Sequence, residues 1–444
     1  MVKNLSPHNR VHVVLVPGFG GFDALGQLEY YAGVTPQFST WKRAGGQRRE
    51  RAVLHYFDNF PTAAVVTRAT RLRDYLAKRM ARGEFLPGDS LALVGHSTGG
   101  LDIRCMLWEL ARSLDRTYAV DRTTVLAKTI LELVRHVVFL SVPQWGTNIA
   151  NWVREYELAR ALVIAEMRAS VVASQAPLAD KIQEWISSCA AAATKVNLVY
   201  AIRDALDEAE ARPSNDPTRT ALAQEAASEI ALWLRHIATD FSAIDDLSSQ
   251  HPEGKDASPA HFDSRKRARE IASWKKFRIT TRSYATVGRR LFGFHEGRPA
   301  PRWDLVNLST YPEYTPEAGQ NGHTDIVYRY CYRACAGGPF RYPDPNNVPV
   351  PRPFAVATQR PRPIELWDND GIVNTASMLW PDGERTLLVE GDHMDIVGHY
   401  ELVHALRDES TRKYQAYDLL KSDSGFHAAA FQQVWNDVFD SCIS

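Results

Sequence analysis

Cysteine is scarce in this chain. Five of its 444 residues are cysteine (Cys105, Cys189, Cys331, Cys335 and Cys442), too few and too scattered for a disulfide framework, and the odd count leaves at least one thiol free. Only Cys331 and Cys335 lie close enough in sequence for a bridge to stay open. An excess of charge is also missing. Lysine plus arginine number 52 and aspartate plus glutamate 52, so the overall balance favours neither nucleic acid nor an anionic membrane as partner, and any ligand must be recognised locally. Long apolar runs are absent too: no segment approaches the ~18 residues of a membrane span, and residues 1–10 hold no apolar stretch of the signal-peptide kind. The expectation is a cytoplasmic protein, with secretion open if a leader precedes this sequence. Its oligomeric state stays open.

At 45% hydrophobic content the chain can bury a sizeable core in one large domain or two moderate ones. Val11 to Val16 is a β-branched apolar run ending at Pro17-Gly18-Phe19-Gly20-Gly21, which reads as a buried strand feeding a tight loop. Strands are expected again at 52–56, 90–94 and 136–141, with helices over 62–80 and 99–114 between them. Strands alternating with helices predict an α/β fold built on a mostly parallel sheet covered on both faces.

The pattern then changes. Residues 150–247 carry helical periodicity, with Ile182, Trp185, Ile186 and Cys189 on one stripe, Leu222, Ala226, Ile230 and Trp233 on another, and Asp216-Pro217 as a helix start. Strand character returns at 278–287, 364–367 and 386–390. The proline-dense stretch 337–363 predicts an irregular surface wrap, and the tail from Ile396 to Phe439 a helix. The organisation expected is a core of residues 1–149 and 270–444 interrupted by a helical cap over 150–269. An ordinary helical subdomain is the equal alternative to a cap that moves.

The chemistry-bearing motif is Gly95-His96-Ser97-Thr98-Gly99-Gly100, a G-x-S-x-G pattern where a strand ends and a helix begins. At such a junction the serine sits on a sharp turn with its hydroxyl exposed at the sheet edge, while the glycines give the backbone room. A serine hydroxyl needs a base, and the base needs a third group to fix its tautomer. Both are expected later in the chain, acid first. The acid lies in Trp367-Asp368-Asn369-Asp370-Gly371, where Asp368 and Asp370 both qualify. Among 14 histidines, His393 follows an apolar strand and precedes a helical segment; His399 and His96 read as structural. An oxyanion formed at the serine needs two N–H donors, expected from the backbone amides of Phe19 and Thr98.

These residues resemble the lipase and esterase branch of the α/β hydrolases, including the thermoalkalophilic bacterial lipases. That family carries Asn-Asp-Gly-Ile-Val-Asn-Thr-x-Ser-Met around its acid, and this chain reads Asn369-Asp370-Gly371-Ile372-Val373-Asn374-Thr375-Ala376-Ser377-Met378. Asp392-His393-Met394-Asp395-Ile396-Val397-Gly398 is similar to the family's histidine segment. Pro143-Gln144-Trp145-Gly146-Thr147 resembles the turn that opens its lid region. The resemblance selects Asp370 over Asp368 and implies an α/β-hydrolase fold with a helical lid. It also implies Ser97, Asp370 and His393 as catalytic residues, and hydrolysis of acyl esters such as acylglycerols through an acyl-enzyme. Between about 150 and 360 the likeness is thin. The family's usual His-Gly before the oxyanion phenylalanine is Pro17-Gly18 here, its zinc ligands lie in an insertion that does not align with this chain, and its calcium ligands do not carry over. No metal or cofactor is expected.

The partner expected is a small-molecule or lipid ester, with no nucleic acid and no membrane span, and transient contact with a lipid interface through the cap is compatible with it. An acyltransferase would use the same triad, and a non-catalytic lipid- or protein-binding module would keep only the fold. Arg265-Lys266-Arg267-Ala268-Arg269 with Lys275-Lys276 reads as a solvated basic helix face, and His323-Thr324-Asp325 as a loop.

Overall fold

The computed structural model describes residues 9–21, 24–25, 28–44, 46–86, 88–116, 122–155, 236, 240–249, 258–289, 326–336, 343–344, 346–355, 364–400, 418–420 and 422–444. The helical stripes expected within 150–247 fall almost wholly outside these residues, as do Asp216-Pro217 and His323-Thr324-Asp325.

Seven strands form one parallel sheet: β1 (Val11–Val16), β2 (Ala52–Tyr56), β3 (Ser90–His96), β4 (Val134–Leu140), β5 (Thr280–Val287), β6 (Arg352–Ala355) and β7 (Leu387–Glu390), in the order β2-β1-β3-β4-β5-β7-β6. The central strands are apolar on both sides because both sides are covered. Val13, Leu15, Ala92, Val94, Val138 and Leu140 face one buried cluster. Val14, Val16, Leu91, Leu93, Val137 and Phe139 face the other. Against the first face pack α1 (Val34–Arg43) and the C-terminal helix α8 (Ala428–Cys442), through Phe38, Trp41, Trp435 and Phe439. Against the second lie α2 (Val65–Ala81), α3 (Thr98–Arg116), α4 (Arg122–Leu133) and α6 (Ser264–Phe277). Two further helices, α5 (Asn148–Glu155) and α7 (Ile326–Ala336), stand beyond the sheet's carboxyl edge.

The helix expected from Ile396 to Phe439 is confined, among the described residues, to Ala428–Cys442, because 395–397 close only a single 3-10 turn that ends at Gly398 in the left-handed region. Three other local expectations change. Residues 364–367 form a turn, because the Asp368 amide donates to the Glu365 carbonyl (3.0 Å) and the Asp368 carboxylate accepts from the Glu365 amide (3.0 Å). The missing strand is instead Arg352–Ala355, inside the proline-dense wrap. It sits at the sheet edge, where Pro353 lacks no bond the ladder needs. Third, Arg267 departs from the basic face of α6. It is buried, stacks on Trp145 at 3.3 Å and donates to the carbonyls of Gln144 (2.7 Å) and Phe262 (2.9 Å). Arg265, Arg269, Lys275 and Lys276 are exposed, as expected. Cys331 and Cys335 are both free thiols on α7.

The strand order also sets a switch point in the sheet. The chain leaves β1 to form β2 on one side and returns to form β3 on the other, so the loops after β1 and β3 meet at the point where the winding reverses. Val16 pairs in register with Gly95, and His96 with Leu140. The Pro17–Gly21 loop therefore lies directly beside Ser97.

Candidate active site

Ser97 holds a left-handed backbone conformation (φ 52°), the strained geometry of a strand running straight into a helix. Its amide donates to the Leu140 carbonyl (2.9 Å), and its carbonyl accepts from Gly100 (3.0 Å). The flanking glycines are required by contact. A Cβ on Gly95 would come within 2.6 Å of the Gly100 nitrogen, and one on Gly99 within 2.3 Å of the Val16 oxygen. Strand and helix can meet this closely only with hydrogen at those positions.

Asp370 is fully buried and its carboxylate is saturated with donors. Oδ1 accepts the amides of Ile372 (3.0 Å) and Val373 (2.7 Å), and Oδ2 accepts the Thr286 hydroxyl (2.6 Å) and His393 Nδ1 (2.8 Å). Four donors satisfy both carboxylate oxygens without water. Because that oxygen can only accept, His393 carries its proton on Nδ1, which leaves Nε2 with the lone pair of a base. The His393 amide donates to the Asp370 carbonyl (3.0 Å), so the two loops are joined by main chain as well. The Asp368 carboxylate closes the 365–368 turn.

The structure thus brings Asp370 and His393 together as the sequence predicts. Between the Ser97 hydroxyl and His393 no hydrogen bond is present among the described residues. The serine's neighbour His96 packs against His393 with ring centroids 4.6 Å apart and planes tilted by 43°, and both Ser97 and His393 are almost fully buried. His96 does more than pack. Its Nε2 bonds the His393 carbonyl oxygen (2.9 Å) and its Nδ1 the Tyr30 hydroxyl (2.7 Å). His399 bonds the Tyr30 carbonyl (3.1 Å).

The loop after β1 is clamped from below. Arg68 of α2, fully buried, donates from Nη2 to the carbonyls of Pro17 (2.8 Å) and Gly18 (2.9 Å) and from Nε to both oxygens of Asp102 (3.1 and 2.9 Å). Burial pushes the Asp102 carboxyl up to about 6 against the pull of that guanidinium. The Gly18 carbonyl also accepts from the Gly21 amide (3.0 Å). With that oxygen held on one side of a trans peptide, the Phe19 N–H points to the other, and it has no partner among the described residues. The Thr98 amide, at the first turn of α3, likewise has none. A Cβ on Gly18 would come within 2.6 Å of both Ser97 Cβ and the Tyr30 hydroxyl.

Arg68, Tyr30, Thr286 and the bridging role of His96 are not visible in the sequence. Each acts through a partner far along the chain, and none stands in a pattern that local spacing picks out. Beside the histidine loop, Asp392, Asp395 and Asp418 place ligand oxygens within 4.8 Å of one another. Such hard oxygens are the ligand class of Ca²⁺ or Mg²⁺, yet Ser422 and Ser424 already bond two of these carboxylates (both 2.7 Å). Burial raises both the Asp392 and Asp395 carboxyls, the latter to about 7.

No protein-family model matches the chain, and no curated protein matches it. Among solved structures, lipase 1 from Pelosinus fermentans is 16% identical over 88% of this chain and 94% of its own, with a TM-score of 0.38. A metagenomic carboxyl esterase is 14% identical over 99% and 80%, with a TM-score of 0.35. A Bacillus licheniformis lipase is 16% identical over 35% of this chain, with a TM-score of 0.24, and the match spans 50% of that lipase's length. The sheet order and the strand–serine–helix turn identify the fold directly: it is the α/β-hydrolase fold. No helix among the described residues is long and apolar enough to cross a membrane.

Proposed function

We propose that this protein is a serine carboxylic ester hydrolase working through an acyl-enzyme, with Ser97 as nucleophile, His393 as general base and Asp370 as the group that orients it. The observation that carries the reading is the buried Asp370–His393 hydrogen bond, whose direction leaves Nε2 basic, beside a serine held in a strained strand-to-helix turn. Ser97 Oγ attacks the ester carbonyl carbon as Nε2 takes its proton. The amides of Phe19 and Thr98 donate to the oxyanion, and Asp370 stabilises the imidazolium. Collapse expels the alcohol, which takes the proton from Nε2. Water then repeats the sequence and releases the acid. The bond from Ser97 to the imidazole forms in this reading when substrate binds, as catalytic hydrogen bonds often tighten only in the complex.

Acyl esters such as acylglycerols are the proposed substrates. The motif resemblance supports this, and so does the apolar periodicity of residues 150–247, which we assign to a helical cap over the site. The solved structures alike in fold are named as lipases and an esterase. Replacing Ser97 by Ala should lower turnover of a p-nitrophenyl ester by at least about 10³-fold, abolish labelling by a fluorophosphonate and leave the melting temperature unchanged. Full turnover by that variant would end the assignment. Acyl transfer to an added alcohol in preference to water would make the protein an acyltransferase.

A further inference from the structure

We propose that Tyr30 and His96 are positioning residues that tie the loop bearing the Phe19 amide to the loop bearing His393. The inference rests on the function proposed above and adds to it how the two halves of the site are held in register. Both side chains are buried, Tyr30 at 3% exposure and His96 at 0%.

The chemistry of their partners fixes every proton. The His393 carbonyl can only accept, so His96 Nε2 carries the hydrogen of that 2.9 Å bond. Nδ1 of the same neutral ring then bears a lone pair, and the Tyr30 hydroxyl donates to it at 2.7 Å. The Tyr30 oxygen in turn accepts the Gly18 amide at 2.8 Å. A single directional chain therefore runs from Gly18 N–H through Tyr30 O–H and the His96 imidazole to the carbonyl of His393. It joins the loop after β1, the end of β3 and the loop after β7.

Gly18 is held from both sides. Tyr30 takes its N–H, while Arg68 and Gly21 take its carbonyl, so the peptide presenting the Phe19 N–H has little freedom to turn. The chain has this direction while His96 is neutral, because a second ring proton would turn the Tyr30 hydroxyl hydrogen away from Nδ1. Its burial, and His393 alongside, hold its pKa well below the usual histidine range. It therefore stays neutral while its neighbour becomes an imidazolium.

The test compares Tyr30→Phe, His96→Gln, His96→Ala and the Tyr30→Phe/His96→Gln double variant with wild type. Active sites are counted by fluorophosphonate titration, and kcat, KM and inhibition by a trifluoromethyl ketone are measured. Tyr30→Phe removes one oxygen and keeps the ring packing, so it should fold. We expect its kcat per titrated site to fall about tenfold or more, with KM within about twofold. Affinity for the ketone, whose hemiketal oxyanion uses the same amides, should weaken in parallel. His96→Gln, which can still donate to the His393 carbonyl, should retain more activity than His96→Ala. The double variant should be little worse than the worse single one, because both break one chain. Wild-type kcat in Tyr30→Phe, or independent multiplication of the two effects, would overturn the proposal while leaving the role of Ser97 standing. Full activity of Ser97→Ala would instead remove the reading beneath it.

Discussion

At the scale of single residues, the molecule spends stability on the serine. An L-residue in the left-handed region costs about 1–2 kcal/mol, and Ser97 adopts it at φ 52° with no freedom to relax between the Leu140 and Gly100 contacts. Glycine has no Cβ to clash there. Ser97→Gly should accordingly be inactive yet more stable than wild type by about 1 kcal/mol in denaturant unfolding. A less stable Ser97→Gly protein would show that the backbone at the turn is not strained. The motif letters made this position legible; the strain itself is a property of the strand and helix meeting there.

Elements act through what they hold. Helix α2 contributes Arg68, and one guanidinium fastens Asp102 and two carbonyls of the loop beside Ser97. A lysine has a single ammonium and cannot serve all of them. Arg68→Lys should cost about 3 kcal/mol and lower kcat together with it, read by urea unfolding and ester turnover; an unchanged midpoint would contradict the clamp. At the opposite end of the sheet, β1 and β2 are joined by a second chain of side chains. His55 Nε2 donates to His12 Nδ1 (2.8 Å), and His12 Nε2 donates to Asp89 (3.1 Å). Arg10 bonds Asp89, and Arg79, which pairs with Glu84, faces His55 Nδ1. Burial lowers both histidines, His55 to about 4. In the unfolded chain they titrate near 6.5, so the unfolded state binds the extra protons first. The stability this chain confers is complete above about pH 6.5 and is lost as the pH falls toward 4. Buried Asp392 and Asp395 act in the opposite sense, so the measurable quantity is a difference. The melting temperature of wild type should drop more steeply between pH 7 and 5 than that of His55→Gln, and parallel curves would refute it.

Across the whole molecule, the C-terminal helix braces segments next to the candidate site. Trp435 of α8 is fully buried, meets Tyr31 with ring centroids 6.0 Å apart, and donates from its indole to the Ile396 carbonyl (2.9 Å), three residues beyond His393. The C-terminal helix thereby braces both the segment following Tyr30 and the turn following the histidine. Trp435→Ala should destabilise by about 3–5 kcal/mol, measured by chemical denaturation. A cost below about 1 kcal/mol would mean that α8 packs without bracing the sheet.

The amino-acid sequence by itself determined the parallel strands and the position of the serine, because apolar runs and the close glycine spacing are local and read directly as buried strands and a tight turn. It also pointed to His393 by its place after a strand, and to Asp370 over Asp368 only through the resemblance carried by a short motif on that loop. What only the tertiary structure decided are the long-range partners. The clamp by Arg68, the fourfold coordination of Asp370 that includes Thr286, and the Tyr30–His96 bridge join residues tens to hundreds of positions apart. The edge strand at 352–355 belongs to the same class, since a proline-rich segment becomes a strand only when a neighbour such as β7 is already there to accept it. Local patterning specifies which element a segment forms, whereas the hydrogen bonds that orient a site depend on which sheet edges the fold brings side by side.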